Sequence, residues 1–255
     1  MTRITSLLKI GALPLLLADA SATQAVPAGT VKNVVLVHGA FADGSGWQPV
    51  AEILAKDGYK VSVVQPPETS LEDDVAATNR TLDGLDGPAV LVGHSYGGMI
   101  ISGAGTNPHV KSLVYVAAFM PDVGESLGSL QASKPPASNS VVPTKDGAYL
   151  LLNPAAFHAD FCADLPQTQA DFMALSQVPL SVKSAGGQIA APAWKTKPSY
   201  AIVATEDRAI NPDLERSMYK RAHAVTSEVK GSHVIYISQA RFVADVIEKA
   251  AAAAQ

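Results

Sequence analysis

Residues 91–100 read LVGHSYGGMI. The apolar run that leads into them, PAVLVG (88–93), has the look of a buried strand, and SYGGMIISGAG (95–105) resumes as a helix despite its glycines. A buried strand gains nothing from Gly93, Ser95, Gly97 and Gly98, so the small residues must serve a very tight bend at Ser95. Gly93-His94-Ser95-Tyr96-Gly97 matches G-x-S-x-G, the nucleophile elbow, in which a serine sits on a strained turn between strand and helix. Residues two before and two after that serine approach each other and the neighbouring strands, where any side chain would clash. The helix that follows points backbone N–H groups and the positive end of its dipole at the serine.

Working outward, strand-like and helix-like segments alternate. NVVLVH (33–38), KVSVV (60–64), SLVYVAA (112–118), SYAIVAT (199–205) and VTSEVK (225–230) read as further strands. Trp47, Val50, Ala51 and Leu54 fall at helical spacing, and Asp57-Gly58 ends that helix. Ser70 is placed to cap a helix with Leu71, Val75, Thr78 and Leu82 on one face. Asn211-Pro212 opens a helix to about Ala222, and Phe242, Val243, Val246, Ile247 and Ala250 mark a last one. This alternation predicts an α/β fold: an open, doubly wound, mainly parallel sheet with right-handed helical crossovers. Residues 119–197 separate the fourth and fifth strands, far more than a crossover needs. Their Pro/Ser/Gly-rich part (121–147) precedes helices expected around 154–164 and 167–177. The expectation is a cap inserted over the C-terminal sheet edge, where such folds bind ligands. Its aromatic and sulfur-bearing side chains include Phe119, Met120, Phe157, Phe161, Phe172, Met173 and Trp194. Most would form the cap's own core, and Phe41, Phe119, Met120, Phe157, Phe161 and Trp194 are the candidates for lining a pocket.

A serine hydroxyl needs a base to take its proton, and the base needs an orienting acid. The expected chain order is Ser, then Asp or Glu, then His. Two histidines lie beyond position 200. His223 falls inside the helix MYKRAHA, whereas His233 follows Lys230-Gly231-Ser232 in the loop leaving the last strand, at the same sheet edge as the elbow. His233 is the candidate base. Asp207, after the fifth strand, is the candidate acid; Glu206 beside it and Asp122 after the fourth strand are the alternatives. An oxyanion would need two donors, the N–H of Tyr96 and an N–H from His38-Gly39-Ala40-Phe41, with Ala40 the candidate and Gly39 keeping the backbone close. His38 reads as structural and His94 as a spacer in the elbow. His109 and His158 read as loop or surface residues.

The 255 residues suffice for one large domain. Charged residues make up only 16% and the net charge is −4 with no basic stripe, which argues against a nucleic-acid partner. A single cysteine, Cys162, excludes an intrachain disulfide and a paired-cysteine metal site. No ligand-like His/Asp cluster stands out, and neither metal nor other cofactor is expected. Residues 1–22 have a basic start (Arg3, Lys9), an apolar stretch (Ile10 to Leu17) and the small-residue site Ala20-Ser21-Ala22, the layout of a secretory signal. That stretch is shorter than the roughly 20 residues of a membrane span. The reading is export to the periplasm or medium without stable membrane insertion, and a single α/β domain over 23–255.

In this order, VLVHGAFADGSGW, LVGHSYGG, VYVAAFMP, ATEDRAINP and KGSH resemble the α/β-hydrolase superfamily. They are most similar to its compact branch of bacterial esterases, plant methyl-ester hydrolases and hydroxynitrile lyases. The resemblance runs from about 31 to 250 and is weakest over 121–190. It implies Ser95, Asp207 and His233 as triad, Ala40 and Tyr96 as oxyanion donors and a helical cap at 119–197. It implies a small-molecule ester as substrate. The lyases carry a threonine after the loop histidine and a lysine after the catalytic histidine; here these positions are Gly39 and Val234, so hydrolysis is expected over cyanide elimination. Relatives with an aspartate nucleophile are set aside by Ser95. A ligand-binding protein on the same scaffold, or carbon–carbon bond cleavage by the same triad, are the other readings.

Overall fold

The computed structural model describes residues 29–254; the leader-like stretch 1–22 lies outside them. In chain order the elements are β1 (Asn33–Val37), α1 (Gln48–Lys56), β2 (Lys60–Val64), α2 (Leu71–Asp83), β3 (Ala89–Ser95), α3 (Gly97–Ala104) and β4 (Val110–Ala118). The insertion follows, with α4 (Leu127–Ser133), β5 (Val141–Pro143), β6 (Tyr149–Leu152), α5 (Pro154–Phe161), α6 (Gln167–Leu175), β7 (Leu180–Ser181) and α7 (Val182–Gly186). The chain then returns as β8 (Ser199–Ala204), α8 (Pro212–Arg221), β9 (Val225–Val229), α9 (Ile235–Ser238) and α10 (Ala240–Ala253).

The main sheet has the order β2-β1-β3-β4-β8-β9, and every neighbouring pair is parallel. Its central strands are apolar without alternation because both faces are covered. Successive side chains point to opposite faces. Val34, Leu36, Val90, Val92, Val114 and Val116 therefore pack with the Trp47, Leu54 and Val243 side, beneath α1 and α10. Val35, Val37, Leu91, Leu113 and Tyr115 pack with the Leu71, Ile100 and Met218 side, beneath α2, α3 and α8. The order reverses between β1 and β3, so the loops after these two strands diverge and leave a crevice at the C-terminal edge.

Local signals act as expected at the helix starts. The Ser70 hydroxyl accepts from the Asp73 N–H at 3.1 Å, and Asn211 accepts from Asp213 N–H at 3.0 Å ahead of Pro212. Three features differ. The inward face of α2 carries Asp74 as well as the half-buried Val75, because that carboxylate accepts from the Glu68 N–H and the Tyr96 hydroxyl. His223 lies past the end of α8, exposed and with φ of 53°, rather than inside the helix. The insertion is not only helical: β5, β6 and β7 form a small antiparallel sheet within it.

The bend at Ser95 closes as steric reasoning requires. Ser95 ends β3 with φ of 53°, a left-handed backbone uncommon outside glycine, and the β3–β4 register slips between His94 and Ser95. A Cβ on Gly93 would lie 2.5 Å from the Gly97 carbonyl oxygen. Gly93→Ala is therefore expected to destabilise the fold by about 1–3 kcal/mol or more, as overpacking does, measured by urea unfolding; a variant as stable as the parent would show that the elbow can relax.

Candidate active site

Four loops meet at the C-terminal edge of the sheet. The loop after β1 brings His38 to Phe41, the end of β3 brings Ser95, the loop after β8 brings Asp207, and the loop after β9 brings His233. Because β3, β4, β8 and β9 are neighbours in that order, residues far apart in sequence converge here.

Asp207 and His233 are 3% and 1% exposed. His233 Nδ1 lies 2.6 Å from Asp207 Oδ2. The other carboxylate oxygen accepts from the Ala209 N–H at 2.7 Å and the Ile210 N–H at 2.9 Å. With Nδ1–H donating to the carboxylate, Nε2 is the ring nitrogen left to exchange a proton with a reacting group. Ser95 and His233 line one cavity of about 320 Å³. No hydrogen bond joins the two side chains among the described residues; apo sites of this kind are commonly open until substrate binds.

The alternative acids point elsewhere. Glu206 is exposed and pairs with Lys230 at 3.5 Å. Asp122 is bound to Lys195 at 2.5 Å. Among the other histidines, His109 Nδ1 bonds the Gly87 carbonyl and His158 Nε2 the Leu165 carbonyl.

The loop after β1 touches the elbow directly. A Cβ on Gly39 would lie 2.6 Å from Ser95 Cβ and 3.0 Å from Tyr96 N. His38 Nδ1–H donates to the Gly39 carbonyl at 3.0 Å, and burial holds His38 below the ordinary histidine value, hence neutral. The Phe41 N–H is used by the Val178 carbonyl at 3.2 Å, with φ of 65° at Phe41. Neither the Ala40 nor the Tyr96 N–H has a protein acceptor among the described residues. Ala40 lines the cavity; the Tyr96 side chain turns inward and its hydroxyl donates to Asp74 Oδ2 at 2.6 Å.

Of the aromatic and methionine candidates, Phe41, Phe119 and Phe161 line the cavity. Met120, Phe157 and Trp194 do not. The Met120 side chain is fully buried against the α8 side, and its N–H meets Met218 Sδ at 3.4 Å. Phe157 packs behind Phe161, ring centres 4.9 Å apart. The Trp194 indole N–H donates to the Pro121 carbonyl at 2.6 Å. The inserted sheet supplies wall instead: Val141, Leu150 and Leu152.

Three contributors have no signature in the sequence pattern. His94 is more than a spacer. Its Nε2–H donates to the His233 carbonyl at 3.0 Å, and its ring lies against His233 and Tyr236 with centres 4.6 and 4.3 Å away. Burial, then the nearby His233, holds His94 well below the ordinary histidine value, so this support is a neutral one. Asp164, between α5 and α6, accepts from the Ser232 N–H at 3.0 Å and from the Ser232 and Ser238 hydroxyls. Asp160 on α5 accepts from Arg208 Nε at 3.0 Å. One stretch of the insertion thus grips both the loop of Asp207 and the loop of His233.

The chain belongs to the alpha/beta hydrolase family, whose model matches residues 34–246. It is 36% identical over 113 residues to the carbendazim hydrolyzing esterase of Nocardioides sp. (strain SG-4G), a match covering 38% of this chain and 46% of that one. It is 26% identical over 250 residues to the alpha/beta hydrolase nvfD of Aspergillus novofumigatus (strain IBT 16806), covering 86% and 96%. The fold is shared with the pyrethroid hydrolase PytH at a TM-score of 0.74, with 21% identity, over 88% of this chain and 99% of that one.

Burial opposes ionisation of Asp164, but its hydrogen bonds from Ser232 and Ser238 outweigh burial and hold its pKa below the ordinary carboxylate value. A folded pKa below the unfolded one gives stability that is present above the unfolded value and lost as pH falls through the folded value. Asp164→Ala should therefore cost about 1 kcal/mol at pH 7, modest because the group is solvent-accessible. The gap to the parent should hold down to about pH 5 and shrink as pH falls from there to about 3 and below. Urea midpoints across that range test this; a gap independent of pH would contradict it.

Proposed function

We propose that the chain is a serine hydrolase that cleaves uncharged carboxylic esters of small to medium size through an acyl-enzyme. The observation that carries this reading is the shared cavity of Ser95 and His233, with His233 held from behind by Asp207 at 2.6 Å. In this reading His233 Nε2 takes the Ser95 proton as Oγ attacks the ester carbonyl. The Ala40 and Tyr96 N–H groups receive the oxyanion, an arrangement favoured by their lack of a protein acceptor among the described residues. His233 returns its proton to the departing alcohol, and water then resolves the acyl-enzyme by the same path. Asp207 holds the tautomer and stabilises the imidazolium. This chemistry needs no cofactor.

The substrate class follows from the walls. Leu127, Leu150, Leu152, Leu180, Phe119 and Ile210 give a largely apolar lining, and among the described residues no Asp, Glu, Lys or Arg lines the cavity. A charged acyl or alcohol group would lose its hydration and meet no opposite charge, only the neutral polar side chains of Gln131, Ser138 and Asn139. The absence of a lysine there also leaves departing cyanide without a cation, which favours ester hydrolysis over elimination. Val234 is fully buried at the position where the lyases carry that lysine. The relatives named above as hydrolases or esterases support the reaction class. The leader-like layout of residues 1–22 supports a reading in which the protein is exported.

The test is hydrolysis of neutral p-nitrophenyl esters of increasing chain length, beside a hemisuccinate ester carrying a free carboxylate. Neutral esters should show a chain-length optimum, and the anionic ester should be cleaved at least about tenfold more slowly. Ser95→Ala should lower kcat/KM by roughly 10³-fold or more. Equal rates in parent and variant would overturn the reading of Ser95.

A further inference from the structure

Glu215 is a fully buried carboxyl that the reaction described above does not use. It sits one turn into α8, the helix that follows the Asp207 loop, and it is 0% exposed. No N–H or O–H group among the described residues donates to either of its oxygens; the Ala204 N–H lies nearby without closing a hydrogen bond. Its carboxyl lies beside that of Asp207.

Two ionised carboxylates in contact in a dry interior repel each other and lose hydration, so one of them must hold a proton. The surroundings decide which. Asp207 accepts from Ala209 N–H, Ile210 N–H and His233 Nδ1–H. Glu215 accepts from none. The proton therefore rests on Glu215, and burial, followed by the charge of Asp207, pushes its pKa well above the usual carboxylate range. The other titratable groups around it do not compete. Tyr219, one turn on, has its hydroxyl committed to the Ala118 N–H and carbonyl. Arg216 turns outward to Glu228 and Asp213.

We infer that Glu215 is a positioning residue whose protonated carboxyl donates a hydrogen bond to the Asp207 carboxylate, fixing the acid of the relay from behind. This rests on the reading of Asp207 and His233 as the relay. The bond adds a fourth donor to Asp207 and spreads its charge, and it keeps Oδ2 aimed at His233 Nδ1. The same face of α8 holds the end of β4 through Tyr219, and Ala118 of β4 pairs with Ser95. One helix face thus braces the strand beside the nucleophile and the acid at once.

The direct test is the infrared difference spectrum of wild type against Glu215→Gln at pH 7. A protonated-carboxyl C=O stretch should be present in the wild type and absent in the variant; no such band would overturn the inference. Kinetics gives the second reading. Glu215→Gln retains a neutral donor, and its kcat/KM should stay within about threefold of wild type. Glu215→Leu has no donor, and its kcat should fall by about tenfold or more with KM within about twofold. Its acid limb of kcat/KM should move to higher pH, since a less stabilised Asp207 carboxylate holds the imidazolium more tightly. A glutamine variant as impaired as the leucine variant would contradict the donor role. If the leucine variant does not fold, the glutamine variant and the infrared band still decide. The band does not depend on esterase turnover, so a failure of the Ser95 reading would leave it in place.

Discussion

The contact between backbones around Ser95 is the constraint on which the rest of the site depends. The serine can hold its left-handed turn only if β3, α3 and the loop after β1 approach to distances that exclude a Cβ. Gly93 lies against Gly97, and Gly39 lies against Ser95 and Tyr96. These approaches bring two N–H groups without a protein acceptor among the described residues, Ala40 and Tyr96, beside the serine. Strain at one residue is thereby offset by the packing of the whole sheet edge, as strained functional turns require.

Around that turn, buried polar groups are held in definite protonation states. His38 and His94 are kept neutral by burial and act as backbone braces, one on Gly39 and the other on His233. Asp74 ties the Tyr96 hydroxyl to the Glu68 N–H and so fixes the start of α3. Asp160 and Asp164 attach the insertion to the loops of Asp207 and His233. The insertion thus does two jobs in the proposed mechanism: it walls the cavity, and it steadies the relay.

Much of this was legible in the sequence, for identifiable reasons. The parallel strands announce themselves because both faces are buried, so VVLV, AVLV and LVYV are continuous apolar runs. The elbow is legible because sterics restrict its neighbours to glycine. The candidate relay pair could be reached by chain order and loop position alone. The inserted sheet was not legible: β5, β6 and β7 have three, four and two residues, six of the nine exposed or half-buried, in a Pro/Ser-rich context. Periodicity cannot register such short strands. Asp164 pairs with Ser232 across 68 residues, and Glu215 faces Asp207 across a loop. Neither leaves a motif. The pocket aromatics divide for the same reason: Phe157 and Phe161 are one turn apart on α5, and only the packing of α5 against His233 decides which faces the cavity.

The central claim is that Ser95 is the nucleophile, activated by His233. Intact-mass and peptide mass spectrometry after reaction with a fluorophosphonate tests it most directly. The account predicts a single adduct on the peptide containing Ser95, formed by the wild type, absent in Ser95→Ala and strongly slowed in His233→Ala. An adduct on another residue, or no adduct on folded wild-type protein, would contradict it.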